Sequence, residues 1–159
     1  SSFIGWMLII PLIVALNYLI QLSPWAVLLV LTTIWLADSG AYFFGKQFGK
    51  RKLAPSISPG KTWEGFIGAL FVVSLFSITL TYFGFVNSYE SILFFILILL
   101  LSVEGDLFES YIKRVAKVKD SGDLIPGHGG VLDRIDSLCS SLPLATLILV
   151  SPSFFGRLI

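Results

Sequence analysis

Charge is what this chain lacks most. Only 13% of its 159 residues are Asp, Glu, Lys or Arg, about half the ~25% of a soluble domain. With 55% hydrophobic residues and a mean hydropathy of +0.88, the chain is built for lipid rather than water. There is one cysteine, Cys139, in an apolar run, so no internal disulfide can form and the redox compartment is not readable. A net charge of +1 argues neither for nor against nucleic acid. No charged n-region and no initiator Met stand before the apolar run that follows Ser1, so no signal peptide is read. The chain is expected to be the C-terminal portion of a longer one.

What the chain has in quantity is long apolar runs. A helical span needs ~20 mostly apolar residues at ~1.5 Å per residue, and five segments come near that: Phe3 to Leu22, Pro24 to about Phe44, Thr62 to about Phe85, Ser91 to Leu107, and Val131 to Val150. Pro11 kinks the first by removing a helix hydrogen bond, and Pro24 opens the second at a position that suits proline. The expected fold is all-α, a polytopic transmembrane bundle with about five spans.

The few charges are unevenly placed. Lys46, Lys50, Arg51, Lys52 and Lys61 lie in one loop, and Lys113, Arg114, Lys117, Lys119 and Arg134 in another. Arg157 is the remaining basic residue, and the turns at 21–23 and 86–90 carry none. By the positive-inside rule both basic loops are cytoplasmic. Counting depth from the opposite surface puts Asp38 about 21 Å down, Glu104 and Asp106 about 20–22 Å, and Asp136 about 22 Å. Carboxylates from three helices are thus expected at one level, in the inner third of the bilayer. Each is costly there unless paired, hydrated or metal-bound. The plain alternative is that they are helix-end residues reaching an interface one turn away.

The stretch from Ser110 to Asp136 concentrates chemistry. It holds five of the eleven basic residues, four of the ten acidic ones and the only histidine. Asp133 and Asp136 share a helix face, as do Asp106 and Glu109. Such carboxylate pairs suit Mg²⁺, a hard cation that keeps waters and phosphates in its shell. For Glu109 an ion pair with Lys113, four residues on, is the simpler reading. Leu107 to Val118 reads as an amphipathic helix with Lys113, Arg114 and Lys117 on its polar face, ended by Asp120-Ser121-Gly122. In Pro126-Gly127-His128-Gly129-Gly130, glycines allow close backbone approach and the helix start that follows can receive phosphate. His128 is read first as a hydrogen-bonded loop histidine. Ser58-Pro59-Gly60-Lys61-Thr62-Trp63-Glu64-Gly65 is not a P-loop: Pro55 stands where that pattern needs glycine, and no buried strand precedes it. Lys61 and the helix start after it can still bind phosphate, or Lys61 is a positive-inside anchor. Asp38 lies among Ala37, Ser39, Gly40 and Ala41, small residues that let helices pack closely, so it is expected to face protein.

These segments resemble a known family. Ser110 to Arg114, Lys119-Asp120-Ser121-Gly122, Pro126 to Gly130 and Asp133-Arg134-Ile135-Asp136 are similar to the signature of CDP-diacylglycerol synthase, or phosphatidate cytidylyltransferase. Asp38 to Tyr42, Ser58 to Gly65 and Gly105 to Ser110 match it further. The resemblance implies a Mg²⁺-dependent reaction of CTP with phosphatidate, with one or two cations, giving CDP-diacylglycerol and pyrophosphate. It also implies an integral enzyme of the bacterial inner membrane, active on the cytoplasmic side and homodimeric, with residues 1–159 as one membrane-embedded catalytic portion and further apolar segments upstream. No nucleic-acid partner is expected. On this resemblance Asp106, Asp133 and Asp136 hold metal, with Asp38 and Glu104 as further contributors. Lys61, Lys113, Arg114, Lys119 and Arg134 neutralise phosphates; Ser58, Thr62, Gly129 and Gly130 bind substrate; and His128 stands near the chemistry. Two other classes fit polar residues at one depth: a CTP-dependent lipid kinase, and a cation transporter or channel.

Overall fold

The computed structural model describes residues 2–86, 90–118 and 132–150, with side chains from 5 in the first helix and from 135 in the last. Five helices follow one another: α1 (Ser2–Leu22), α2 (Pro24–Phe48), α3 (Trp63–Tyr82), α4 (Glu90–Val115) and α5 (Leu132–Leu149). A two-stranded antiparallel hairpin, β1 (Lys52–Ala54) and β2 (Ser58–Thr62), sits between α2 and α3. The all-α bundle is therefore observed, with this small hairpin added to it.

Local chemistry sets the boundaries. Ser23 caps α2, its Oγ accepting from the Ala26 amide at 3.4 Å, and Pro24 takes the first turn. α2 runs four residues past the expected end at Phe44, to Phe48, where the Gly49 amide closes on the Gly45 carbonyl at 3.0 Å. Thr62 caps α3 by accepting from the Gly65 amide at 3.2 Å. The fourth span and the amphipathic segment expected as separate pieces are one continuous helix of 26 residues. It ends at Val115 rather than at Asp120-Ser121-Gly122: the Val118 amide reaches back to Lys113 O and the Lys117 amide to Arg114 O, both at 3.0 Å, with Lys117 at φ +56°. That is a Schellman closure with lysine in the left-handed position usually taken by glycine.

The core is apolar and so is the outside. Leu19, Val30, Val73, Phe95, Ile98, Leu99 and Leu142 are fully buried, while Trp6, Met7, Trp35, Phe71, Leu93 and Leu147 are exposed. An apolar surface around an apolar core is what a bilayer as solvent allows. Among the described residues four helices, α1 to α4, are long and apolar enough to cross a membrane, and α5 offers a shorter apolar stretch, Ile135–Leu149. The chain is an integral membrane protein.

Two helix contacts position the site. In the α2–α3 contact a Cβ on Gly65 would stand 2.7 Å from the Ala41 carbonyl oxygen, so only glycine allows that approach. In the α4–α5 contact a side chain on Gly105 would overlap Ser140, whose Oγ donates to Leu101 O at 2.7 Å. Small residues at helix crossings are how bundles pack tightly without a hydrophobic driving force between helices.

Candidate functional site

A cavity of about 470 Å³ opens between α2, the hairpin, α3 and α4. Ala37, Ala41, Tyr42, Phe66, Ala69 and Val103 make most of its wall apolar, and Asp38, Lys61 and Asp106 make one part of it charged. Its size is that of a small-molecule site.

Each charged side chain arrives on a different element. Lys61 comes from β2, one residue before the cap of α3, and its Nζ lies 2.5 Å from Asp106 Oδ2 on α4. The other oxygen of Asp106 accepts from Ser110 Oγ at 3.4 Å, one helical turn further on. Asp38 comes from α2. It faces the cavity and is exposed there, while its neighbours Ala37 and Gly40 are the residues buried in helix packing. Asp38 stands in the electrostatic field of Asp106, Lys61 and Asp136. Asp136 lies on α5, held by the Ser137 amide at 2.6 Å and by Ser137 Oγ at 3.3 Å. It lines a separate space of about 30 Å³ with Gly105, Glu109 and Ser140 rather than the main cavity, yet it is near enough to Asp106 for the two to repel. Asp38 and Asp106 thus share the main cavity, and Asp136 stands on the neighbouring helix α5 within electrostatic reach of Asp106.

Glu104 does not join them. Two residues before Asp106 on the same helix means a rotation of ~200°, and Glu104 is exposed and absent from the cavity wall. Counting depth sets an expected level for Glu104 but carries no information about direction around the helix axis.

The basic residues are engaged in specific contacts. Lys113 pairs with Glu109 at 2.8 Å, as the four-residue spacing predicts. Arg114 Nε donates to the carbonyl of Ile57 at 3.2 Å, joining the end of α4 to the hairpin tip. Thr62 lines the cavity while its hydroxyl caps α3, and Ser58 pairs with Ala54 at the start of β2. Lys119, His128, Gly129 and Gly130 lie outside the described residues, as do the side chains of Asp133 and Arg134.

Sequence reasoning missed two contributors. Ser110 supports Asp106 by the helical i,i+4 spacing, a relation visible in the sequence. Glu64 accepts the backbone amides of Lys50 at 3.0 Å and Arg51 at 3.1 Å. Its only signal was an acid in the first turn of a helix, which the macrodipole alone accounts for.

The donor set suits a hard cation in kind, since every acidic side chain near Asp106 offers carboxylate oxygen. Among the described residues, no three acidic, histidine or cysteine side chains converge as a ready metal cluster, and Lys61 already occupies one oxygen of Asp106.

A polytopic helical membrane protein, with a lysine set against carboxylates of its apolar helices, is the class that fold and cavity define. Comparison with known sequences narrows it. The chain belongs to the cytidylyltransferase family, whose model matches residues 2–151. It is 51% identical over 122 residues to a phosphatidate cytidylyltransferase of Haemophilus influenzae, covering 73% of this chain and 42% of that protein. It is 42% identical over 153 residues to one of Pseudomonas aeruginosa, covering 91% and 55%. With one of Staphylococcus aureus it shares 49% over 119 residues, covering 74% and 46%. The chain spans about half the length of the curated relatives it matches.

Proposed function

We propose that this chain is the catalytic portion of an enzyme that joins CTP to phosphatidate, giving CDP-diacylglycerol and pyrophosphate. One observation carries the reading: relatives named phosphatidate cytidylyltransferase match 73–91% of the chain at 42–51% identity. The cavity supports it, because an apolar wall beside a lysine and carboxylates suits a reaction between a water-soluble nucleotide and a lipid headgroup.

In the proposed reaction an anionic oxygen of the phosphatidate phosphate attacks the α-phosphorus of CTP. A new P–O bond forms as the bond to the bridging oxygen of the β-phosphate breaks, and pyrophosphate leaves with that electron pair. The attacking oxygen is already ionised, so no general base is required and His128 has no obligatory proton to take. The chain's part is to position the reactants and neutralise charge. Lys61 leaves Asp106 to meet a phosphate oxygen, and Lys119 and Arg134 add positive charge for the phosphates. Arg114 and Lys113, at the C-terminal end of α4, would neutralise further phosphate charge, and Ser58, Thr62, Gly129 and Gly130 would contact substrate. Mg²⁺ held by Asp106, Asp133 and Asp136, with Asp38 beside them, would draw charge from the phosphates. The enzyme works as a homodimer of the bacterial inner membrane with its cavity open to the cytoplasm.

Labelled CTP and phosphatidate, supplied to the full-length enzyme in detergent, test this directly. Cytidine label in the lipid and pyrophosphate in solution are expected. CDP in solution with phosphate added to the lipid means a kinase, and cation flux in proteoliposomes without either product means a transporter.

A further inference from the structure

An isolated two-stranded hairpin is only marginally stable in water. The hairpin that carries Lys61 is weaker still, because its register slips between Lys52↔Thr62 and Ala54↔Ser58, where Pro59 cannot donate to a ladder. Yet Lys61 must be aimed at the cavity to meet Asp106. Something outside the ladder therefore fixes the hairpin.

We infer that Glu64 is the positioning residue for Lys61. Its carboxylate takes the Lys50 amide at 3.0 Å and the Arg51 amide at 3.1 Å on one oxygen, and the Arg51 amide again at 3.3 Å on the other. The Trp63 amide adds a bond to Arg51 O at 2.9 Å. The end of α2 and the start of α3 are thereby tied together across the hairpin's base, three residues from Lys61. Arg114 secures the tip through Ile57 O at 3.2 Å. Lys61 lies between these two anchorages. The bonds of Glu64 are exposed, so water replaces them when the side chain is removed. The cost falls on local order rather than on the fold. The consequence for substrate rests on the proposed role of Lys61 as a phosphate-binding cation; the clamp itself does not.

The competing account is that Glu64 merely places negative charge at the positive end of α3. Glu64→Asp separates the two, because it keeps the charge but shortens the side chain by one methylene and loses reach to both amides. The test uses the full-length enzyme in detergent, comparing wild type with Glu64→Ala, Glu64→Asp and Glu64→Gln. Hydrogen exchange is followed over residues 50–62, alongside thermal midpoint and CTP kinetics. Glu64→Ala and Glu64→Asp are expected to speed exchange about tenfold in that segment alone, with the midpoint nearly unmoved. KM for CTP is expected to rise about fivefold with kcat within about twofold. Glu64→Gln, keeping one acceptor oxygen, falls between and provides a folded variant if the others aggregate. Wild-type exchange in Glu64→Asp, or faster exchange with no change in KM, overturns the inference. A wild-type enzyme that makes no CDP-lipid overturns the proposed reaction instead, and exchange then decides the clamp by itself.

Discussion

The two sides of the cavity are built on different principles. On the hairpin side, Lys61 and Thr62 are placed by directional hydrogen bonds: the Thr62 cap, the Glu64 clamp and the Arg114 tie. On the α4–α5 side, Asp106 and Asp136 are placed by the close approach of two helices at Gly105 and Ser140. The exposed Glu64 and Arg114 bonds can exchange for water and let the hairpin move, while the Thr62 cap stays buried. A packed wall inside the bundle cannot move in this way, since interiors tolerate little change in volume. In the proposed reaction this difference gives rigidity to the acidic residues and adaptability to the lysine, which would leave Asp106 for a phosphate.

The packed wall should show the larger losses. Asp136→Asn, beside Asp106, and Asp133→Asn, one helical turn before it in sequence, are each expected to lower CTP-dependent CDP-lipid formation by ~10²–10³-fold, with expression and thermal midpoint retained. Wild-type turnover and Mg²⁺ response in both would remove them from the chemistry. Next in size is Gly105→Val. A branched side chain there meets Ser140 and the Asp136 carbonyl oxygen, which a Cβ would approach to 3.0 Å. Overpacking of this kind costs about 1–3 kcal/mol and would appear as a lower thermal midpoint together with lost activity. A variant as stable and active as wild type would show that the α4–α5 wall yields after all.

The hydrogen-bonded wall should bend rather than break. For Lys61→Met the folded state persists, because the ion pair lost is partly exposed and such pairs contribute little to stability. A hydrogen bond to a charged group is worth about 1.5–3 kcal/mol, so KM for CTP should rise by about ten- to a hundredfold. Unchanged kinetics would return Lys61 to the role of a charge that orients the chain in the membrane.

How much of this was legible beforehand follows the physics of each feature. Apolar runs fixed the helices because period and length are local properties, and the expectation that the acids at 38, 106 and 136 share one level rests on the constant helical rise. The hairpin was not legible: β1 has three residues, β2 contains Pro59 and Gly60, and what holds them is a carboxylate beyond the strand. The continuity of α4 was missed because the fourth span was closed at Leu107, ahead of the charged stretch of Glu109, Lys113 and Arg114. Polarity marks where lipid ends, not where a helix ends, and no proline interrupts the run from 90 to 115. The glycine-rich segment around His128 lies outside the described residues, so its reading stands on sequence alone.

Direction around the helix axis is the sharpest of these lessons, and Glu104 is where it can be measured. Glu104 and Asp106 share a helix and nearly a depth, and differ by ~200° of rotation. Asp106 meets Lys61 and Ser110, whereas Glu104 is exposed and away from the cavity. A substitution at an exposed position outside the site typically changes free energy by less than about 0.5 kcal/mol. Glu104→Gln should therefore leave kcat and KM within about twofold of wild type, in the same assay where Asp106→Asn nearly abolishes turnover. Should Glu104→Gln prove as damaging as Asp106→Asn, the two carboxylates would have to act together. The turn of α4 that separates them would then need to rotate during the reaction.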